Sequence, residues 1–484
     1  MRHTATDAGP PSDEAGRLVA ADLFAALPPE WPDDPLPAIQ RAIRARGETV
    51  VVLDDDPTGT QTVHDVPVLT RWSADILAAE LAAGPPALYI LTNSRGVPPE
   101  AAIALNRDIG ALLAAAGRAT GRRYAVVSRG DSTLRGHYPA ETDALVEGLG
   151  APVDATLLIP AFIAGGRYTV GNRHYVADGD WLVPAAHTPF ARDATFGYRG
   201  ADMAAWVEEK SQGRIPASTV GALSIETIRA GGPDRVAGAL LALAPGAVCV
   251  VNAASERDLA VVALGAIRAE EQGRRFLYRT AASFVRARGG LTARPLLTPA
   301  ELSLPPTGGG LIIVGSYVPL TSTQVAALLT EGRVTAVEIA VERLLSPAAR
   351  DDEIARAACA ADTALRRGDD TVVVTSRDLV TGADAGGSLL IGQQISASLV
   401  AVMRAITTRP RYIIAKGGVT SSDVATAGLD VTRAIVRGQV ATGVPAWQMG
   451  PESRYPGLAY IVFPGNVGQS RTLVDIVTAL RSQG

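Results

Sequence analysis

The chain has few cysteines, few lysines and few aromatic residues. Of its 484 residues only Cys249 and Cys359 are cysteines, and neither belongs to a CxxC pair or has metal-site spacing. Sparse cysteine is typical of a reduced, disulfide-free protein, so we expect a cytoplasmic localisation. Lys210 and Lys416 are the two lysines, and the other basic residues are arginine.

Strong charge and long apolar runs are also missing. The net charge is −4, and no basic cluster is interleaved with aromatic residues, which argues against a nucleic-acid partner. No run reaches the ~18 apolar residues of a membrane span. The first residues are polar with early acids, unlike a secretory signal. We therefore expect a soluble chain without nucleic-acid or membrane partners.

Short apolar strands alternate with helices along the chain, which is the βαβ pattern of α/β proteins. We predict two doubly wound α/β domains with parallel-rich sheets and an interdomain active-site cleft. The predicted ranges are a partly disordered extension at 1–45, a first domain at 46–297, a Pro- and Gly-rich linker at 298–310, and a second domain at 311–484.

A buried strand predicted at residues 49–53 ends in three acids. Asp54, Asp55 and Asp56 follow the apolar run, and the turn Pro57-Thr58-Gly59 comes next. Ligands of parallel sheets bind beyond the carboxyl ends of the strands. Adjacent carboxylates repel one another, so this arrangement favours a site where a cation or a proton-accepting role offsets the repulsion. The alternative is an acidic turn in solvent.

Two further strand-end loops of the first domain carry polar side chains. One is Asn93-Ser94-Arg95. The other, residues 129–136, reads Arg-Gly-Asp-Ser-Thr-Leu-Arg-Gly. Arg129 and Arg135 can hold a carboxylate bidentately, and Asp131, Ser132 and Thr133 suit the hydroxyls of a polyol. The alternative for this loop is a capped helix start beside a solvated arginine.

Glycine-bearing loops end three predicted strands of the second domain. Lys416 precedes Gly417-Gly418, and hydroxyl residues then open a helix. Adjacent glycines let backbone N–H groups approach a phosphate, and the helix dipole favours its charge. Gly315-Ser316 and residues 465–468 end the other two strands. Together they predict a nucleotide site that lacks Walker A spacing. A helix cap or turn is the alternative, and Lys416 either contacts a phosphate or caps its strand.

The acidic turn also matches the Asp-x-Asp-x-Thr opening of haloacid-dehalogenase-type phosphatases, with Asp54 as nucleophile and Asp56 as acid/base. Such enzymes need a downstream lysine and a later acidic pair on a strand end. Lys210 lies in a polar helix, and no acidic pair follows Lys416 at a strand end. A phosphatase therefore remains an alternative with two elements missing.

Residues 55–59 and 129–136, with the glycine loops at 417–421 and 465–468, resemble the four-carbon acid sugar kinase family. The resemblance covers nearly all of the chain from residue 46 onward. The family usually opens with Ala-Asp-Asp-Leu-Thr-Gly-Ala, and Asp54 and Pro57 here replace the Ala and Leu. Arg129 stands where the family has Lys, and Val419 where it has Glu.

The resemblance implies a sugar-acid-binding first domain and a nucleotide-binding second domain. The activity it implies is transfer of the ATP γ-phosphoryl group to a hydroxyl of a four-carbon or branched five-carbon sugar acid, such as a threonate, erythronate or oxo-tetronate, with Mg²⁺ as the metal. Asp55 or Asp56 is then the catalytic base, and the sequence does not separate them. The implied substrate-binding residues are Thr58, Gly59, Ser94, Arg95, Arg129, Asp131, Ser132, Thr133, Arg135 and Gly136. The implied ATP-binding residues are Ser316, Gly417, Gly418, Val419, Thr420, Gly465 and Asn466.

The sequence leaves the catalytic role and the oligomeric state of the protein open. A non-catalytic sensor of sugar acids or nucleotides is a second alternative, favoured by the departures at Arg129 and Val419. No metal site built from protein ligands alone is expected, and a homodimer is compatible with the sequence without being required by it.

Overall fold

A computed structural model describes residues 16–331, 333–377, 380 and 385–481. Its strands in these ranges are, in chain order, β1 (Leu18–Val19), β2 (Glu48–Asp54), β3 (Val66–Leu69), β4 (Ala87–Leu91), β5 (Arg123–Arg129), β6 (Ala155–Ile159), β7 (Arg167–Val170), β8 (Arg173–Asp178), β9 (Trp181–Pro184), β10 (Gly221–Leu223), β11 (Ala247–Val251), β12 (Phe276–Thr280), β13 (Leu311–Val314), β14 (Thr335–Ile339), β15 (Thr371–Thr375), β16 (Ile413–Lys416), β17 (Arg433–Ala441), β18 (Val444–Met449) and β19 (Ala459–Phe463).

The helices in the same ranges are α1 (Ala20–Ala25), α2 (Leu36–Arg46), α3 (Ala74–Ala83), α4 (Pro99–Thr120), α5 (Ala140–Leu149), α6 (Met203–Lys210), α7 (Ile225–Leu241), α8 (Glu256–Glu271), α9 (Ala282–Arg288), α10 (Pro319–Glu331), α11 (Val341–Leu345), α12 (Arg350–Arg366), α13 (Ala385–Ala405), α14 (Gly418–Asp423) and α15 (Thr472–Arg481). None of these helices combines the length and the apolar content that crossing a bilayer requires.

Contacts divide the described chain into two compact units. Unit 1 contains the residues up to Val50 and Pro98–Leu291, and unit 2 contains Val51–Val97 and the residues from Thr292 onward. The sequence-based ranges assign residues 51–97 to the first domain, whereas their contacts place them in unit 2. The cause is a long-range pairing: β3 runs antiparallel to β17, with Leu69 opposite Arg433.

Unit 1 contains a parallel sheet in the order β10-β11-β6-β12-β5. Its strands are short, apolar and largely buried, as expected for strands covered by helices on both faces. The predicted α/β class with parallel-rich sheets is confirmed.

A second, antiparallel sheet of unit 1 has the order β1-β9-β8-β7. Residues 165–193, which interrupt the βαβ rhythm, supply three of its strands. The fourth is β1, from the predicted N-terminal extension. Within the predicted extension, residues 18–25 therefore form a short strand followed by α1. Residues 1–15 of that extension lie outside the described residues.

In unit 2 the strand order is β2-β4-β3-β17-β18-β19-β16-β13-β15-β14. The pairs from β19 to β14 are parallel, and β17 and β18 form an antiparallel hairpin. Sequence reasoning missed this hairpin. Its signal is the pair Thr442-Gly443 between two apolar runs, with Gly443 at φ 78° as a tight hairpin turn requires.

Candidate active site

The acidic turn of unit 2 begins with Asp54, the last residue of β2. The backbone N–H and Oγ1 of Thr92 donate to the Asp54 carbonyl at 2.8 and 2.9 Å, which anchors the strand end. Asp54 is only 1% exposed. Gly59 packs on its carboxylate so closely that a Cβ there would lie 2.1 Å from Oδ2. A phosphatase nucleophile has to reach a phosphorus atom, and this enclosed carboxylate does not favour that alternative.

Asp56 is the accessible acid of the turn. Its Oδ1 accepts from the Thr58 N–H at 2.8 Å, which caps a 3₁₀ turn over Pro57–Thr62. The Arg95 guanidinium pairs with Asp56 Oδ2 and lies 3.9 Å from Asp55 Oδ2. The Asp56 side chain is 19% exposed and that of Asp55 is 3% exposed. The structure thus brings both predicted base candidates and Arg95 together and leaves Asp56 nearer to solvent.

Ser94 is placed differently from the other residues of its loop. It is buried, and its Oγ accepts from Thr92 Oγ1 at 3.3 Å. The neighbouring Asn93 has left-handed backbone, with φ 51°, and donates to Ser422 Oγ. Ser94 therefore faces the protein interior, and Asn93 is the residue that ties this loop to α14.

The first glycine loop lies directly against the acidic turn. Gly417 has φ +118°, a conformation open to glycine, and its N–H donates to the Phe463 carbonyl at 2.8 Å. A Cβ on Gly418 would lie 2.8 Å from Asp56 Oδ2. The absence of a side chain at residue 418 is therefore what lets the carboxylate approach the start of α14. Val419 is 61% exposed at the same loop.

The other two glycine loops meet the first one. Thr321 Oγ1 donates to Ser316 Oγ at 3.2 Å and to the Gly465 carbonyl at 3.1 Å. A Cβ on Gly465 would lie 2.9 Å from Ser316 Oγ, and one on Gly417 would lie 3.1 Å from Ser316 Cβ. Asn466 is exposed and Thr420 is buried. The strand ends that the sequence predicted to form a nucleotide site thus converge within unit 2.

Lys416 lies beneath these loops. It is fully buried, donates to the Pro464 carbonyl at 2.7 Å, and its Nζ lies 3.6 Å from the centre of the Phe463 ring. Burial lowers the pKa of Lys416 to about 7. These contacts match the strand-capping alternative, because they join the ends of β16 and β19.

Arg377 is a site residue that sequence reasoning missed. It follows β15, and its guanidinium donates to the Ser316 carbonyl at 2.9 Å and to Ser322 Oγ at 2.6 Å. Burial lowers the pKa of Arg377. Its position two residues beyond the end of β15 was the available signal. Its guanidinium adds a positive charge beside the glycine loops.

In unit 1 the loop of residues 129–136 is folded on itself. The Leu134 N–H donates to the Asp131 carbonyl at 3.1 Å, and Leu134 has φ 69°. Thr133 Oγ1 and Arg135 Nε both donate to Asp131 Oδ2, the latter at 2.8 Å. Arg135 also lies 3.8 Å from Asp193 Oδ2 and stacks over Phe190. The predicted carboxylate-gripping arginine is therefore already paired with two acids.

Neighbouring elements hold this loop in place. His174 Nε2 donates to the Ser132 carbonyl at 2.8 Å, and the Tyr198 hydroxyl donates to the Thr133 carbonyl at 2.8 Å. A Cβ on Gly130 would lie 2.3 Å from an Arg279 nitrogen. Arg129 is 5% exposed, so its side chain lies inside the unit.

In the part of the chain that the structure describes, no group of three His, Cys, Asp or Glu side chains is arranged to hold a metal by itself. This does not decide the question of Mg²⁺, because nucleotide-site Mg²⁺ is bound by one or two carboxylates together with substrate phosphates. Asp55 and Asp56 beside the glycine loop fit that donor set.

Two domain models of known protein families match the chain. Residues 50–288 match a sugar-binding N-terminal domain, and residues 311–473 match a nucleotide-binding C-terminal domain. The D-erythronate kinase of Heliobacterium modesticaldum is 29% identical over 369 residues, covering 74% of this chain and 76% of the relative. The D-threonate kinase of Cupriavidus necator is 28% identical over 405 residues, covering 82% and 83%.

The fold also matches solved structures. A crystal structure of a Salmonella typhimurium LT2 protein covers 90% of this chain and 98% of its own, with a TM-score of 0.64 at 18% identity. At this identity the likeness concerns the fold alone. The two matched domain models and the kinase relatives, taken with the converging loops, show that the chain belongs to the four-carbon acid sugar kinase family.

Proposed function

We propose that this protein is an ATP-dependent kinase that phosphorylates a hydroxyl of a short sugar acid, either four-carbon or branched five-carbon. The observation that carries the proposal is the contact of Asp56 with Gly418. It puts an accessible carboxylate beside the glycine loop where a phosphate is expected. Phosphoryl transfer needs alignment, charge neutralisation and a base near the attacking oxygen, and these residues supply such groups.

Asp56 is the proposed base. It is more exposed than Asp55, and Arg95 and the Thr58 N–H fix its orientation. In the reaction, Asp56 accepts the proton of the attacking hydroxyl while the new O–P bond forms. The bond between the γ-phosphorus and the bridging oxygen breaks, and ADP leaves. Asp55 is then a positioning acid held near Arg95.

The glycine loops are the proposed nucleotide site. Gly417, Gly418 and Gly465 lack side chains where their loops pack closely against Ser316 and Asp56. We assign phosphate binding to the backbone N–H groups at the start of α14. Arg377 adds positive charge beside Ser316. Bound Mg²⁺ would neutralise phosphate charge, and Asp55 and Asp56 are the acids available to it. We retain Val419, Thr420 and Asn466 as proposed nucleotide contacts.

Erythronate and threonate kinases among the relatives support a C4 sugar acid as the substrate class. The remaining substrate contacts are proposed for the unit 1 loop, through Asp131, Ser132 and Thr133, and for Thr58 and Gly59 beside the base. The domain ranges 46–297 and 311–484 remain our proposal for the sugar-acid and nucleotide portions of the sequence.

A coupled ADP-release assay tests the function. The panel contains D- and L-threonate, D- and L-erythronate, their 2- and 3-oxo forms and a branched C5 acid, with ATP and Mg²⁺. We expect ADP release that depends on one of these acids and that Asp56→Asn abolishes. Absence of acid-dependent ADP release would overturn the proposal, and so would release of phosphate from sugar phosphates without ATP.

A further inference from the structure

Arg167, the first residue of β7, lies beside the loop of residues 129–136 in unit 1. In the pairing of β7 with β8, Thr169 is opposite His174 and Arg167 is opposite Val176. Side chains two residues apart on a strand point to the same face. Arg167 and Thr169 therefore share the face on which His174 contacts the Ser132 carbonyl at 2.8 Å.

The guanidinium of Arg167 is poorly compensated. Its Nη1 donates to the Gly165 carbonyl, and its Nε is enclosed without a hydrogen-bond partner among the described residues. Within the described ranges no acidic side chain forms an ion pair with it. Burial lowers the pKa of Arg167; Asp131 has a smaller raising effect and Arg135 a smaller lowering effect, which places both residues within electrostatic range.

Arg135 contrasts with Arg167 in this respect. Arg135 is paired with Asp131 and lies near Asp193, so its charge is balanced by protein carboxylates. Enclosing a cation without a counter-charge is unfavourable, and an arginine stays charged at all ordinary pH values. A ligand carboxylate offsets that cost, because the guanidinium fork matches it with two parallel hydrogen bonds.

We propose that Arg167 binds the carboxylate of the sugar acid, with Arg135 holding Asp131 in place for the substrate hydroxyls. This inference rests on the proposed function, since it takes the substrate to be a sugar acid. It also moves the carboxylate contact from the loop arginines that the sequence singles out to the antiparallel sheet of β7–β9.

The test compares a charged ligand with its neutral counterpart. Binding of D-erythronate, D-threonate and their amides is measured by calorimetry without ATP, on the full chain and on Arg167→Met and Arg167→Lys. We expect Arg167→Met to weaken acid binding by about tenfold to hundredfold, as for loss of a charge-assisted hydrogen-bonded pair, and to leave amide binding unchanged. Arg167→Lys keeps the charge but loses the fork, so an intermediate loss is expected.

Arg173→Met is the matched control, because Arg173 lies on the adjacent strand and is exposed; its acid affinity should match that of the wild type. The assignment would be overturned if both Arg167 variants lost equal affinity for the acid and the amide, or if neither variant lost affinity. Acid binding that depends on Arg167 without any ADP release would overturn the proposed function alone. If the wild type releases ADP in an acid-dependent way but the Arg167 variants lose equal affinity for acid and amide, the role of Arg167 alone would be overturned.

Discussion

Three neighbours surround the Asp56 carboxylate: the Thr58 N–H, the Arg95 guanidinium and Gly418. Replacement by Asn keeps the size and the Thr58 contact and removes the proton-accepting charge. We predict that Asp56→Asn lowers kcat by 10²–10⁴-fold, the usual range for a general base. Steady-state kinetics with the best sugar acid of the panel measures this.

Asp55→Asn is the comparison for that variant, since Asp55 also neighbours Arg95. We expect a smaller loss of kcat, because this acid is more deeply buried and is assigned to positioning. ATP affinity should be near normal in both variants. A larger loss in Asp55→Asn would move the base to that residue.

Gly418 provides a second test, at the scale of single residues, of the position of Asp56. A Cβ there would lie 2.8 Å from Asp56 Oδ2, and the carboxylate cannot move without disturbing its contacts with Arg95 and Thr58. We predict that Gly418→Ala lowers kcat by roughly tenfold to hundredfold, as expected for a misplaced reacting group. The measurement is kcat together with KM for ATP.

Gly392 is the matched control. It lies on α13, and a Cβ there would have nothing within 4 Å. Gly392→Ala should leave activity unchanged and slightly increase stability, because alanine favours the helix. Full activity of Gly418→Ala would argue against a tight approach of Asp56 to this loop.

At the scale of secondary-structure elements, the antiparallel sheet supports the unit 1 loop through His174. Burial lowers the pKa of His174 to about 4 from an ordinary 6.5. Between these values the unfolded chain binds a proton that the native chain does not, so stability is lost as pH falls from 6.5 towards 4. From pH 7.5 to 5.0 this group should cost about 2 kcal/mol of unfolding free energy.

Urea unfolding of wild type and His174→Gln at both pH values checks this. Glutamine keeps a donor for the Ser132 carbonyl and does not titrate. The free energy of unfolding of His174→Gln should therefore rise by about 2 kcal/mol relative to wild type on going from pH 7.5 to 5.0. An unchanged difference would mean that His174 is not the titrating group.

Lys416 joins two strand ends of unit 2. Its ammonium holds the Pro464 carbonyl below the loop that contains Gly465. We predict that Lys416→Met raises KM for ATP by roughly tenfold and changes KM for the sugar acid much less, since a buried hydrogen-bond donor is worth about 1–3 kcal/mol. Initial-rate kinetics over both substrates measures the split.

The chain provides its own control in Lys210, which donates to the carbonyls of Phe196 and Gly197 at 3.3 Å in unit 1. Lys210→Met should leave KM for ATP unchanged. Equal changes in the two KM values for Lys416→Met would show a general loss of structure instead of a role in the nucleotide loops.

At the scale of the whole molecule, the two compact units do not follow the order of the chain. The acidic turn belongs to unit 2 although it precedes most of unit 1. We predict that a non-hydrolysable ATP analogue alone slows amide hydrogen exchange at residues 54–59 as well as at 417–421. A sugar acid alone should slow exchange at residues 129–136.

Amide hydrogen exchange in these segments is measured by mass spectrometry of their peptides. The turn responds to nucleotide because Asp56 contacts the glycine loop within the same unit. Protection of residues 54–59 by the sugar acid, with no response to nucleotide, would contradict this assignment.

Local patterns predicted much of this protein. Short apolar runs and turn residues were enough to predict the α/β class and the strands before the acidic turn and the glycine loops. They also predicted that the glycine-bearing strand ends converge. The β17–β18 hairpin was missed because Gly438 and Pro445 weaken its strand pattern. Arg377 was missed because one arginine after a strand carries no motif.

The sequence by itself determined the fold class, the family and the loops that carry polar chemistry, since these depend on local periodicity and on short motifs. Only the tertiary structure decided which side chains in those loops are available. It enclosed Asp54 and Ser94, paired Arg135 with acids, and left Arg167 without a protein carboxylate among the described residues. Burial and charge pairing depend on neighbours distant in the chain, as for the pairing of β3 with β17.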